Sequence, residues 1–134
     1  ATLLSEGWIT SSCVLTSAHD AARVHWGGNW RMPTYDELYY LGYYYYCTWE
    51  RTKINGVVGY LIRGKGAYSG ASIFLPLAGY GTFDDLSNEA QGCYWSSETS
   101  SSSIDNSLYL DLNSVNISRF RNWGFPVRPV FDVQ

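Results

Sequence analysis

The chain is poor in charge. Only 16% of its 134 residues are Asp, Glu, Lys or Arg, and the formal net charge is -3. That leaves no basic stripe to follow a phosphate backbone, so nucleic acid is not an expected partner. Long apolar runs are also missing, none approaching the roughly 18 residues a spanning helix needs, so no membrane insertion is expected. The opening Ala1-Thr2-Leu3-Leu4-Ser5-Glu6-Gly7-Trp8 carries no signal-peptide pattern and no initiating Met, which points to a mature or excised domain. Imidazoles are scarce: His19 and His25 are the two present, they lie off the i, i+4 spacing of a paired metal site, and each is expected as a surface or cap residue rather than a base. The three cysteines, Cys13, Cys47 and Cys93, are far from any C-x-x-C spacing, allow a single internal disulfide and are equally compatible with unpaired buried thiols. No G-x-S-x-G nucleophile elbow occurs. Gly59 to Gly66 imitates the phosphate-binding G-x-x-x-x-G-K, yet Gly66 stands where Ser or Thr must bind magnesium, and Tyr60 to Ile62 have strand character.

What the chain has in abundance is aromatic. Twelve Tyr and six Trp sit in a sequence of 46% apolar residues, enough for one packed domain over residues 1–134 with rings to spare. Amphipathic rings are favoured on recognition surfaces, which directs attention to binding.

The first third spells out two helices. Ser17-Ala18-His19-Asp20 offers a cap-like start for a helix running to about Trp26, with Ala21, Ala22 and Val24 inside it and Gly27 positioned to end it. Pro33 forces Met32 into an extended conformation. Thr34-Tyr35-Asp36-Glu37 is then a capping box that starts a second helix at Tyr35, to be stopped at Gly42. Leu38 and Leu41 share its core-facing side, while Tyr39 and Tyr40 point elsewhere. Tyr43-Tyr44-Tyr45-Tyr46 cannot all be buried, because consecutive side chains diverge in any secondary structure. They form either a wall with hydroxyls to water or an aromatic contact patch.

Beyond Cys47 the periodicity becomes that of strands. Asn55-Gly56 between Thr48–Thr52 and Val57–Ile62 is a strong hairpin signal. Arg63 to Gly70 is a polar excursion, Ser72 to Ala78 a buried segment, and Gly79 to Gln91 a long loop. The loop's Asp84, Asp85, Ser87, Asn88 and Glu89 could collect calcium, but scattered loop carboxylates are ordinarily solvated and no metal or cofactor is expected. Residues 1–16 alternate weakly and, with Trp8-Ile9-Thr10 and Cys13-Val14-Leu15, offer a first strand to pair with the C-terminus. A two-residue turn at Asn113-Ser114 would set Leu112 opposite Val115, Asp111 opposite Asn116, Leu110 opposite Ile117 and Tyr109 opposite Ser118. One face of that ribbon would be Leu108, Leu110, Leu112, Val115 and Ile117, the other Tyr109, Asp111, Asn116, Ser118 and Phe120, with the apolar side inward. Asn116-Ile117-Ser118 also matches a glycosylation sequon.

Several anchors occur in a telling order: Trp26-Gly27-Gly28-Asn29-Trp30-Arg31-Met32-Pro33-Thr34, then Asn55-Gly56 to Gly59-Tyr60, Ser72-Ile73-Phe74-Leu75-Pro76, Tyr94-Trp95-Ser96-Ser97, and Val127-Arg128-Pro129-Val130. Together they span nearly the whole chain, and the set resembles the Fibrobacter succinogenes major paralogous domain (FISUMP) family, a branch of the C-type-lectin-like superfamily found in bacterial surface and phage-borne proteins. The resemblance implies an α+β C-type-lectin-like fold, with two short helices packed on a twisted, mainly antiparallel sheet. It is also similar to the variable proteins of diversity-generating retroelements, in which residues between such fixed anchors sit on a preformed ligand surface. By that likeness Tyr109, Asp111, Asn116, Ser118, Phe120, Asn122 and Trp123 are the expected contacts, with Ser100, Ser102, Asp105 and Asn106 at the rim. Tyr43, Tyr44, Tyr45 and Tyr46, where relatives are usually more polar, are a secondary aromatic patch.

The superfamily's oxidising enzymes need a cysteine pair late in the chain, and Cys93 has no such neighbour. Its calcium-dependent sugar binders carry Glu-Pro-Asn or Gln-Pro-Asp and Trp-Asn-Asp, all absent here. Arg128 is expected to hold the scaffold through hydrogen bonds. The resemblance therefore implies a non-catalytic, extracellular, cell-surface or phage-particle module that binds a protein or cell-surface ligand through the 98–123 ribbon. The alternative is a structural surface or pilus domain using the same face between subunits.

Overall fold

Two carboxylates organise the N-terminal third. In the computed structural model, which describes residues 3–82, 91–103, 105–113 and 118–133, helix α1 spans Ala21–Trp26. The buried Asp20 carboxylate accepts the Arg23 N–H at 3.0 Å and the Met32 N–H at 2.9 Å. It thus caps the helix and pins the chain that returns from it. Gly27, at φ 67°, donates to the Arg23 carbonyl and ends α1. After the short strand β1 (Trp30–Arg31), the capping box forms in full: the Glu37 N–H donates to Thr34 Oγ1 at 3.2 Å, and the Thr34 N–H to Glu37 Oε2 at 2.8 Å. Helix α2 (Tyr35–Gly42) follows. Leu38 is buried and Leu41 packs on the core, whereas Tyr39 and Tyr40 are exposed.

Strands β2 (Cys47–Ile54) and β3 (Val57–Gly64) form the hairpin that Asn55-Gly56 demands, with both turn residues left-handed at φ 48° and 83°. Strand β4 (Ser72–Pro76) adds to β3. Phe74 and the Leu75 carbonyl close over Gly59 where any Cβ would stand, so this position in β3 requires glycine. A second antiparallel sheet comprises β5 (Cys93–Thr99), β6 (Asn106–Asp111) and β7 (Ser118–Phe120), and a third pairs β1 with β8 (Val130–Phe131). The architecture of the described residues is α+β, with two helices and mostly antiparallel sheets.

Two clusters cover opposite faces of the β5–β6–β7 sheet. The main core joins Ile62, Leu75, Leu77, Tyr94 and Leu112, with Leu41, Trp49 and Leu110 against it. Its polar atoms are satisfied internally: Tyr94 donates its hydroxyl to the Pro76 carbonyl at 2.6 Å, and Trp49 Nε1–H to the Leu41 carbonyl at 2.9 Å. On the far side lie Cys93, Tyr109 and Phe125, flanked by Tyr80, Trp95 and Trp123. Glu98 Oε2 accepts the Tyr35 N–H at 3.0 Å, placing a carboxylate at the N-terminus of α2, where the helix dipole favours it.

Two expectations are corrected. Residues 8–15 do not pair with the C-terminus. They fold back as Ile9↔Leu15 and bridge β5 through Val14↔Glu98. Left-handed Cys13 (φ 63°) makes the reversal, and β1 takes the C-terminal strand instead.

The ribbon register is also one residue away from the expected one: Leu108 pairs with Ser118, Ser107 with Arg119 and Asn106 with Phe120. At the end of β6, Asp111 Oδ1 accepts the Asn113 N–H at 2.8 Å, an Asx-turn contact that competes with a two-residue hairpin at Asn113-Ser114. The expected partners Val115, Asn116 and Ile117 lie outside the described residues. A one-residue slip flips a strand's side chains to the other face. Ser118 and Phe120 therefore share the face of Leu108 and Leu110, and Arg119 joins that of Tyr109 and Asp111.

Candidate functional site

The face of the sheet away from the main core carries an aromatic and charged recess. Strand pairing aligns Cys93 with Asp111, Trp95 with Tyr109 and Ser107 with Arg119, so these side chains project together. Phe125 fills the space beneath them, stacked on Trp95 with centroids 4.3 Å apart and tilted on Tyr109 at 4.9 Å. Over this floor Trp123 lies flat on Tyr80, 5.2 Å between centroids and 9° between planes. The Arg119 guanidinium sits 5.3 Å from the Trp123 ring centroid, a cation–π arrangement, and its charge also acts on the Tyr109 hydroxyl. The resulting cavity is about 270 Å³, with Gln91, Asp111 and Asn113 completing its wall.

Burial dominates the titration of the floor. It pushes the Cys93 thiol up to about 12, an effect that the Asp111 carboxylate reinforces and Arg119 opposes. The Tyr109 hydroxyl is raised by burial and partly restored by the nearby Arg119 guanidinium. At neutral pH Cys93 is therefore a protonated thiol and Tyr109 a neutral phenol. The site's charge comes from Arg119 and Asp111, and its apolar surface from the rings of Tyr80, Tyr109, Trp123 and Phe125.

The expected contact residues do not share one surface. Asp111 and Trp123 line the recess. Tyr109 belongs to it only as floor: at 1% exposure it is a core residue, not a surface anchor. Ser118 is half-buried and Phe120 is 57% exposed, both on the opposite face, and Asn122 is exposed. Asn116 lies outside the described residues.

At the expected rim, Ser100 is buried with its hydroxyl 2.9 Å from that of Ser102, which is exposed. Asp105 is exposed; its carbonyl accepts the Arg121 N–H at 2.8 Å and its carboxylate stands 4.0 Å from Arg121. Asn106 is half-buried and exchanges backbone hydrogen bonds with Ser100 and Ser103.

Arg119, Tyr80, Phe125 and Cys93 were not anticipated. Arg119 would have been found with the correct register, since it alternates with Ser118 and Phe120. Tyr80, Phe125 and Cys93 arrive through long-range packing with no local signal.

The tyrosine run is exposed throughout, with Tyr43 at 38%, Tyr44 at 75%, Tyr45 at 69% and Tyr46 at 37%. The rings touch one another and the helix above them, Tyr39 on Tyr43 at 5.9 Å and Tyr40 on Tyr46 at 5.6 Å. Tyr40, Leu41, Tyr46, Cys47 and Tyr68 enclose a shallow depression of about 380 Å³. His19 is exposed and engaged, its Nδ1 2.8 Å from Thr16 Oγ1 and its ring stacked on Trp8 at 5.0 Å. Cys13, Cys47 and Cys93 are all free thiols. The loop residues Asp84, Asp85, Ser87, Asn88 and Glu89, considered for calcium, lie outside the described residues.

Arg128 departs from expectation: it is exposed, and among the described residues its side chain makes no hydrogen bond or ion pair. Comparison with known protein families, with curated proteins and with solved structures found no match for this chain.

Proposed function

We propose that the chain is a C-type-lectin-like domain of the FISUMP kind that works as a non-catalytic recognition module. In this reading it is displayed on a cell surface or phage particle and binds a protein or cell-surface ligand, as retroelement-diversified variable proteins do. The observation that carries the reading is the recess of Tyr80, Trp123, Arg119 and Asp111. It combines flat apolar rings with one charge of each sign on a sheet whose two faces are both packed. Rings and an arginine fixed in this way contribute contact area at little entropic cost, as the anchors of binding hot spots do. The protonated, buried Cys93 and the engaged His19 favour binding over nucleophilic chemistry.

The test is binding of fluorescently labelled protein to a panel of bacterial and host cells. Arg119→Ala should weaken binding at least about tenfold at unchanged fold, since it removes a charge-assisted contact, whereas Phe120→Ala should leave it intact. Unchanged binding by Arg119→Ala would overturn the reading.

A structural role in subunit contacts is favoured by one observation, the exposed wall of Tyr44 and Tyr45 beside the exposed Tyr39 and Tyr40. It requires concentration-dependent assembly in sedimentation that Tyr44→Ser with Tyr45→Ser abolishes.

A further inference from the structure

A third concavity lies between α1, the β1–β8 pair and the stretch 127–129. It measures about 830 Å³, a size common among small-molecule sites. Trp30 forms its centre, with Trp26 edge-on at 4.9 Å and 89° and Phe131 at 5.1 Å and 68°. Trp26 and Phe131 are 58% and 51% exposed. Ile73 and Pro129 complete an apolar floor, and Arg128 and His25 bring nitrogen groups to the lining.

Among the described residues, none that lines the cleft carries a carboxylate. The nearest acids by sequence are committed elsewhere: Asp132 to Arg31 at 2.9 Å, and Asp20 to the α1 cap and the Met32 N–H. The guanidinium of Arg128 is therefore uncompensated among the described residues, at the edge of an aromatic surface.

We propose that this cleft binds a small organic anion with a flat apolar body, the class of aromatic carboxylates. The body lies against Trp30 between Trp26 and Phe131, and the carboxylate pairs with Arg128, whose planar fork matches it. His25 adds a hydrogen-bond donor from α1. This site is separate from the recess at Trp123 and stands or falls independently of it.

The probes are 2-naphthoate and its neutral counterpart 2-naphthamide, titrated while the indole N–H signals of Trp26 and Trp30 are followed by NMR, with assignments from Trp26→Phe and Trp30→Phe. Naphthoate should shift both signals saturably and bind at least about tenfold more tightly than naphthamide, the factor expected for a charge-assisted pair. Arg128→Gln, at an exposed position, should bring naphthoate down to the affinity of the amide, while Arg119→Ala should leave both titrations unchanged. Equal affinity for acid and amide, no saturation at millimolar concentration, shifts centred on Trp123, or an Arg128→Gln protein that still prefers the acid would each overturn the proposal.

Discussion

Replacing Tyr109 with Ala tests the strand register and the placement of the recess together. Tyr109 is 1% exposed and packs on Trp95 at 6.0 Å and on Phe125 at 4.9 Å. A buried aromatic side chain covers about 150–250 Å², and truncating one to Ala costs about 3–5 kcal/mol, cavity included. A loss of about 4 kcal/mol is therefore expected. For a domain of this length each kcal/mol shifts Tm by roughly 3–4 °C, so melting should fall by about 14 °C. Phe120, in the same ribbon but 57% exposed, should cost within about 0.5 kcal/mol when truncated. Urea unfolding and thermal melts of Tyr109→Ala, Tyr109→Phe and Phe120→Ala decide the matter, with the Phe variant falling near 1 kcal/mol. A Tyr109→Ala protein as stable as the parent, or a Phe120→Ala protein as crippled as Tyr109→Ala is expected to be, would refute the register and with it the recess.

Asp20→Ala should destabilise by about 2–3 kcal/mol in urea unfolding, because it removes a helix cap and orphans the buried Met32 N–H as well. Arg31 holds the Glu37 carboxyl below its ordinary value of 4.5, so this group contributes stability in full above that pH and loses it as pH falls through the lower folded value. Both partners are partly exposed, which limits the effect to about 1 kcal/mol. Melts from pH 7 down to pH 3 should show a loss that is smaller in Glu37→Gln. Cys93, with its thiol pushed up to about 12, should resist a thiol reagent at pH 8 in the native protein and react only on unfolding, whereas half-buried Cys13 should react first.

The parts of the fold visible in the sequence are those specified by neighbouring residues. Thr34 and Glu37 can meet only at a helix start, Gly27 supplies the left-handed stop, and Asn55-Gly56 turns one strand onto the next. Each is a short-range stereochemical demand that no distant contact overrides. The ribbon was different. Alternation of Tyr109 and Asp111 with leucines suggested one wet and one dry face, but Phe125 and Trp123, far along the chain or packed from outside the ribbon, cover the face of Tyr109. Tyrosine serves a core as readily as a surface when its hydroxyl finds a partner, here Arg119.

The register also goes with Asp111 capturing the Asn113 N–H, a local contact that composition does not decide. Arg128 misled in the opposite sense: an arginine among apolar neighbours invites a buried network, yet it stands exposed at the edge of the Trp30 cleft.

The account rests on Arg119 standing between Tyr109 and Trp123, and NMR of the free protein measures that directly. With its Cζ 5.3 Å from the indole centroid, the Arg119 side chain should have proton signals shifted upfield by the ring current and should show contacts to both Trp123 and Tyr109. If those contacts and shifts belong instead to Ser118 or Phe120, the ribbon is paired in the other register and the recess does not exist.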